Sequence, residues 1–149
     1  MGIDVHAVAA GRLASVGQRY TSSRSVVVET LRGSGRPLTV PEILDANPTL
    51  PQSSAYRTTA VLQQAGVIRR VVATDEFARF ELAEDLSTHH HHLLCTACGA
   101  VADFELSGDL EQRLEAAFDA VAADHAFGSV QHRLDLVGLC AACSSRPAR

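Results

Sequence analysis

Two Cys-x-x-Cys pairs are the feature that most constrains the fold of this chain. Each pair suits one edge of a tetrahedral metal site, because two intervening residues let both sulfurs turn toward one point. Four thiolates with none left over match a closed structural Zn²⁺ site that would join two distant segments. Two redox pairs, buried thiols without a ligand, or iron in the same site are the alternatives. The residues are Cys95, Cys98, Cys140 and Cys143.

The cysteines also bear on the cellular compartment. The chain has no apolar run long enough to span a membrane, and its first residues lack the basic and apolar segments of a signal peptide. We therefore expect a cytoplasmic protein without membrane contact, where cysteines more often bind metal than form disulfides. With 149 residues, 46% of them hydrophobic, the chain has room for one ordinary domain or two small ones.

Charge divides the chain into two unlike halves. Residues 1–80 hold nine Arg against six acidic residues, whereas residues 81–149 hold four Arg against eleven, so the net charge of −4 combines +3 with −7. A mildly basic half joined to an acidic half rich in His and Cys indicates two different functions.

The first half is predicted to form short helices followed by a hairpin. Helices are expected over 6–16 and 22–32, and Thr39 with Glu42 fits a capping box that begins another. A further helix follows Pro51, and two β-rich runs flank residues 74–76. This order is that of a winged helix, whose last helix enters the major groove of DNA. The alternative is a small helical domain with a hairpin that binds nothing.

The second half alternates strands with one long helix. Strand-like segments frame the first cysteine pair, and an alternating run over 129–139 leads into the second. Between them a helix is predicted from Asp109 to Phe127. Its apolar face is expected to be Leu110, Leu114, Ala117, Phe118 and Val121.

Four consecutive histidines, His89–His92, precede the first cysteine pair. An affinity-tag remnant would not lie inside the chain against a zinc knuckle. Because side chains alternate along a strand, His89 and His91 should face one way and His90 and His92 the other. Two separate sites with mixed N/O ligands follow, suited to Zn, Fe, Mn, Co or Ni. Each possible partner could equally be a solvated side chain: Glu81, Asp103, Glu105, Glu111, Glu115, His125 and His132.

Several motifs, taken in order, resemble the ferric uptake regulator family of metal-sensing repressors. They are SSAYRTTAVLQQAGVIRR, RFEL, HHHHLLCTACG, VADFE, HRLDLVGLC and the final CAAC. The resemblance implies an α+β fold, in which an N-terminal winged helix-turn-helix domain (1–83) precedes a small α/β dimerisation domain with a four-cysteine zinc site (84–149). It implies a homodimer that binds palindromic operator DNA and represses metal-homeostasis genes in response to a metal.

The resemblance also implies roles for individual residues. The four cysteines would hold structural Zn²⁺, and a regulatory site for Zn²⁺ or Fe²⁺, with Mn²⁺ possible, would use Glu81, His90, His92 and Asp103. A second site would use His89, His91 and His132 with either Glu111 or Glu115. The expected DNA contacts are Arg19, Ser53, Ser54, Tyr56 and Arg57. On the wing, Arg69, Arg70 and Arg79 are expected to contact phosphates. Ser53 or Ser54 could instead cap the helix.

Two positions depart from the family pattern and leave the sensed metal open. Pro37 stands where many members have a His that completes the regulatory site, and Arg69 stands near an Asp of zinc-sensing members. His6 is a conceivable substitute ligand. A module that has lost metal sensing and a peroxide-responsive regulator are therefore alternatives. The chain has no HExxH, nucleophile or phosphate-loop motif, so neither an enzyme nor a small-molecule substrate is expected.

Overall fold

The structure is a computed structural model that describes residues 2–73 and 76–146. Within those ranges it has six helices, six strands and a short 3-10 turn, Glu84–Leu86. The helices are α1 (Val5–Ser15), α2 (Ser22–Gly33), α3 (Val40–Ala46), α4 (Gln52–Gln64), α5 (Gly108–Asp124) and α6 (Ala141–Ser144). The strands are β1 (Leu38–Thr39), β2 (Ile68–Val71), β3 (Arg79–Leu82), β4 (His91–Cys95), β5 (Val101–Phe104) and β6 (Asp135–Gly138).

Four of the six helices in the described residues begin at a side-chain N-cap, and α4 and α6 do not. The predicted capping box of α3 is confirmed: Thr39 Oγ1 accepts from the Glu42 N–H at 3.3 Å, and Glu42 Oε2 accepts from the Thr39 N–H at 2.7 Å. Helix α4 instead begins after Pro51 without a side-chain cap. The prediction that Ser53 or Ser54 caps this helix is therefore wrong, because both lie inside its first turn.

The hairpin forms as predicted and pairs with a third strand. Strands β2 and β3 are antiparallel, and β1 adds to the other edge of β3, so the sheet order is β1-β3-β2. Strand β1 has only two residues, so no alternating pattern in the sequence could have predicted it. Of the predicted hairpin turn, Thr74 and Asp75 lie outside the described residues.

The core of the first half joins the helices to this sheet. Leu13, Ile43, Leu62 and Ile68 are among its largest fully buried side chains. Leu86, in the 3-10 turn after β3, belongs to the same cluster. The winged-helix unit therefore extends its packing slightly beyond the last strand of the wing.

The second half is a smaller three-stranded sheet with β4 at its centre. Strand β4 pairs antiparallel with β5 and parallel with β6, in the order β5-β4-β6. The α+β class and the order of its two units are as predicted. The predicted strand before the second cysteine pair is shorter than expected, since only Asp135–Gly138 is strand.

Helix α5 differs from its prediction in length and packing. It ends at Asp124 rather than Phe127, because Ala126 has a φ of 57° that no α-helix continues through. Ala122 is its only buried residue among those described, and Val121 is 57% exposed. The apolar face predicted for this helix is therefore only partly packed within a single chain: Leu114 and Phe118 are half-buried, with Phe118 against His132, whereas Leu110, Ala117 and Val121 are exposed.

None of the helices in residues 2–73 and 76–146 combines the length and apolar character that a membrane span requires.

The capping box gives a direct test of local stability. We expect Thr39→Ala to lower the free energy of unfolding by about 1 kcal/mol, because the Glu42 N–H loses its acceptor. Thr39→Ser keeps the hydroxyl and should restore most of the difference. Guanidinium unfolding at one fixed protein concentration measures both variants, and equal stability of the two would contradict the assignment.

Candidate metal centres

The four cysteines converge at one end of the second sheet. Cys95 ends β4, Cys98 follows in a turn in which Gly99 has a φ of 72°, and Cys140 and Cys143 lie at the start and inside of α6. Their sulfurs all lie within 4.8 Å of one another. None of the four forms a disulfide. The expected tetrathiolate arrangement is therefore assembled by the fold.

The electrostatics of this cysteine cluster favour a cation. Backbone N–H groups of Cys140, Cys98 and Ala97 lower the pKa of the Cys95 thiol to about 6. Hydrogen bonds with Cys140 and Cys98 raise the pKa of Cys143 to about 12. The sulfurs thus oppose one another's ionisation, and a bound Zn²⁺ would let all four be thiolates.

Two further clusters form on opposite sides of β4, as the alternation of the histidines predicts. The "Glu81 cluster" is Glu81, His90, His92 and Asp103, and the "Glu111 cluster" is His89, His91, Glu111 and His132. In each cluster the possible ligand atoms all lie within 4.8 Å of one another.

The strand register places the Glu81 cluster. His92 lies opposite Asp103 on β5 and opposite Asp135 on β6, so these side chains share one face of the sheet. Glu81 comes from β3 of the other sheet. The cluster therefore joins the two halves of the chain.

One oxygen of Glu81 is the focus of this cluster. Glu81 Oε2 lies 3.0 Å from Nε2 of His90 and 3.0 Å from Nε2 of His92. The carboxyl oxygens of Asp103 lie 3.8–3.9 Å from the same nitrogens. Burial raises the pKa of Glu81, but hydrogen bonds from His92 and His90 and the Arg69 charge outweigh it, and the pKa falls to about 2.

The other ring nitrogens of these histidines also face acceptors. His90 Nδ1 lies 2.7 Å from the Thr88 carbonyl oxygen, and His92 Nδ1 lies 3.2 Å from Asp135 Oδ1. A neutral imidazole donates through one nitrogen only. If Nδ1 donates outward, each Nε2 presents a lone pair to the centre of the cluster. This is the arrangement of a metal-ligating His held by an outer partner.

The Glu111 cluster repeats this arrangement. Glu111 Oε1 lies 2.9 Å from Nε2 of His89 and 2.7 Å from Nε2 of His132, and Oε2 lies 3.0 Å from Nε2 of His91. The outer partner is Glu84, whose Oε1 is 2.5 Å from His89 Nδ1. Hydrogen bonding from His91 lowers the pKa of the Glu111 carboxyl.

Unsatisfied atoms support the fit of a cation in both clusters. In residues 2–73 and 76–146, the buried side-chain atoms without a hydrogen bond are Asp103 Oδ1 and His132 Nε2, one in each cluster; the 2.7 Å contact of His132 Nε2 with Glu111 Oε1 is an ion-pair contact without hydrogen-bond geometry. An unpaired buried donor or acceptor is costly. A metal ion bound at each cluster would satisfy both atoms.

The remaining predicted ligands lie elsewhere. Glu115 is not part of the Glu111 cluster, and His125 caps the end of α5. Glu105 accepts from the Thr88 hydroxyl at 3.5 Å. His6 contacts Tyr20 Oη at 2.6 Å and Glu29 Oε2 at 3.0 Å, so the suggestion that it substitutes for the missing hinge His is wrong. Pro37 is fully buried.

Two of the three wing arginines are not available to DNA phosphates. Arg69 donates to Glu81 Oε1 at 2.6 Å and lies 3.4 Å from Glu84 Oε2, so it faces the clusters rather than the outer edge of the wing. Arg79 is buried. Their predicted phosphate contacts are therefore wrong, and Arg70 is the exposed one of the three.

Four of the five predicted DNA-contacting residues lie on helix α4. Ser53, Tyr56 and Arg57 are exposed on the first turns of α4, with Tyr56 51% exposed, and Ser54 is half-buried. The alternative of a core tyrosine at this position is therefore wrong. Arg19 is exposed before α2.

Sequence reasoning missed three contributors. Glu84 and Asp135 hold imidazoles from outside the clusters, and Arg69 holds Glu81. The β2–β3 register places Arg69 directly opposite Glu81, which the hairpin pattern could have revealed. No local signal identifies Asp135, because its role depends on the pairing of β4 with β6.

A winged helix joined to a small α/β unit with three clusters suited to metals defines a class of metal-binding DNA-binding proteins. The model of the "Ferric uptake regulator family" matches residues 15–137. The chain belongs to this family, as the motifs predicted.

Individual relatives agree with this assignment. The chain is 30% identical over 139 residues to a "Ferric uptake regulation protein" of Campylobacter jejuni, covering 89% of this chain and 84% of that one. It is 27% identical to a "Peroxide operon regulator" of Bacillus subtilis, covering 90% of each. The solved Helicobacter pylori ferric uptake regulator has a TM-score of 0.73 at 21% identity, covering 97% of this chain and 94% of that one, which supports the fold.

Metal analysis tests the cysteine cluster separately from the other two. We expect one zinc per chain that survives mild chelation, and Cys98→Ser should lose it because three thiolates no longer close the site. Ser144→Ala, a neighbour of the site that offers no ligand, is the control. Retention of the chelator-resistant zinc in Cys98→Ser would contradict the tetrathiolate assignment.

Proposed function

We propose that this chain is a metal-responsive transcriptional repressor that acts as a homodimer on palindromic operator DNA. Residues 1–83 are the DNA-binding domain, and residues 84–149 are the dimerisation and metal-binding domain. The observation that carries the proposal is the Glu81 cluster, in which a carboxylate at the end of the wing meets two imidazoles and a carboxylate of the second sheet.

The mechanism follows from what a metal in this cluster would hold together. Glu81 moves with the wing, whereas His92 and Asp103 move with the second sheet. If all three held one metal ion, they would fix the angle between the halves, and in a homodimer that angle would set the spacing of the two α4 helices. Residues that bind the metal more tightly in the DNA-competent arrangement would thereby favour that arrangement.

The chain's own residues prepare the regulatory site. Thr88 and Asp135 face the outer nitrogens of His90 and His92, so that with a metal bound both Nδ1 atoms could donate outward and both Nε2 lone pairs could point inward. Glu81 is held ionised by the same imidazoles and by Arg69. Zn²⁺, Fe²⁺ or Mn²⁺ would supply only the central charge that these donors share.

The second unit offers a surface for a second copy of the chain. Val121, Phe127, Val137 and Leu139 are each more than half exposed. Apolar side chains that are this exposed on α5, on β6 and beside them are typical of a protein interface. Their burial in a homodimer would also cover the face of α5 that the single chain leaves unpacked.

Helix α4 is the DNA-reading element of this proposal. Arg57 would contact guanine or phosphate, and Tyr56 would contact a thymine methyl. The sugar–phosphate backbone of the DNA would be contacted by Ser53, Ser54, Arg19 and Arg70. The proposed role is regulation in the cytoplasm rather than catalysis, with neither a small-molecule substrate nor a membrane as partner.

The first test joins metal content to DNA binding. We expect mild chelation to remove the metal of the Glu81 cluster and to weaken operator binding, and readdition of Zn²⁺ or Fe²⁺ to restore it. His90→Ala should mimic chelation, with Gln131→Ala as a control outside the clusters. DNA binding that is unchanged by metal removal would indicate a chain that has lost metal sensing. Restoration that is reversed by peroxide would favour the peroxide-responsive alternative.

The second test concerns the recognition helix. We expect Arg57→Ala to weaken operator binding by about 1–3 kcal/mol, because a guanidinium contact to a base or phosphate is lost. Arg113→Ala, an exposed arginine on α5, is the matched control for lost charge. Fluorescence anisotropy over a series of salt concentrations measures both, and equal affinities for Arg57→Ala and the wild type would refute the assignment.

A further inference from the structure

The carboxylate of Glu81 is divided between two kinds of partner. On one side Oε1 accepts from Arg69 Nε at 2.6 Å, and on the other Oε2 lies 3.0 Å from the Nε2 atoms of His90 and His92. Arg69 lies directly opposite Glu81 in the β2–β3 ladder. The guanidinium therefore hydrogen-bonds to Oε1, the second oxygen that Glu81 would need in order to bind a metal through both carboxylate oxygens.

Arg69 is held in this position from a second side. Its Nη1 lies 3.4 Å from Oε2 of Glu84, a residue of the 3-10 turn. The side chains of Arg69 and Glu81 are 24% and 7% exposed, so the ion pair is largely shielded from water. Removing one partner from such a pair costs more than breaking a surface pair, because the other charge stays buried.

The remaining donors of the cluster are few. His90 and His92 each offer one nitrogen, and Asp103 offers the oxygen that lacks a hydrogen bond. With one ligand atom from each residue and one oxygen of Glu81 blocked, the cluster presents two nitrogens and two oxygens.

We propose that Arg69 determines the metal specificity of the Glu81 cluster by keeping Glu81 monodentate and the site four-coordinate, which selects Zn²⁺ over Mn²⁺ and Fe²⁺. Zn²⁺ is commonly tetrahedral in protein sites, whereas Mn²⁺ in oxygen-rich sites takes six ligands. This inference rests on the proposed function of the cluster as the regulatory site and names its metal. Arg69 is a positioning residue, since it acts through Glu81.

Co²⁺ is the probe for the number of ligands, because its visible absorption is intense in four-coordinate sites and weak in five- or six-coordinate ones. The proteins compared are the full chain with zinc in the cysteine cluster, and all carry Glu111→Gln to weaken the second cluster. The variants are Arg69→Ala and Arg69→Met, the latter keeping an aliphatic stem in case alanine destabilises the fold. Arg113→Ala is the control.

We expect intense Co²⁺ absorption in the parent protein and in Arg113→Ala, and weaker absorption in both Arg69 variants. Chelator competition should show Zn²⁺ affinity falling roughly 10- to 100-fold on loss of Arg69, the range typical of outer partners of a metal ligand. Mn²⁺ affinity should stay the same or rise, because Glu81 gains its second oxygen. A purely structural role for Arg69 would weaken both metals equally and leave the Co²⁺ spectrum unchanged.

The outcomes separate this inference from the function on which it rests. Arg69 variants with the parent spectrum and the parent ratio of Zn²⁺ to Mn²⁺ affinity would overturn the role of Arg69 alone. A weak spectrum already in the parent protein would overturn the four-coordinate geometry. Co²⁺ binding that His90→Ala leaves unchanged would overturn both this inference and the assignment of the Glu81 cluster as the regulatory site.

Discussion

The carboxylate of Glu81 is the interaction on which the arrangement of the two halves depends. One of its oxygens faces a guanidinium of the wing, and the other faces the imidazoles of His90, just before β4, and His92, on β4. Because this side chain is buried, its charge must be balanced on both sides. A single carboxylate thereby joins the sheet that follows α4 to the sheet that carries the two histidine clusters.

The alternation of side chains along one strand divides the four histidines between two separate clusters. Alternation along β4 sends His92 with His90 toward Glu81, and His91 with His89 toward Glu111. Both clusters are built around one carboxylate that meets imidazole nitrogens, and outer acceptors face His90 and His92 in one cluster and His89 in the other. Four consecutive residues of one type can therefore serve two sites that do not share a ligand.

The sequence predicted those features that depend on local periodicity. The capping box at Thr39, the hairpin, and the separation of the histidines into two faces all follow from spacings of a few residues. The register of β4 against β6, which brings Asp135 to His92, is a long-range pairing without a local signal. The packing of α5 could not be predicted correctly from one chain, because its apolar face, exposed at Val121, fits a surface that a second chain would cover.

The position of Leu86 shows how short the joint between the two halves is. Leu86 is buried in the first core, and β4 begins at His91, so only residues 87–90 connect them. Two of these four residues, His89 and His90, belong to different clusters. Each cluster therefore combines one histidine from the joint with one from the sheet. Any change in the length or path of this joint would displace one histidine of each cluster at the same time. The geometries of the two clusters are therefore coupled to each other and to any movement between the two halves.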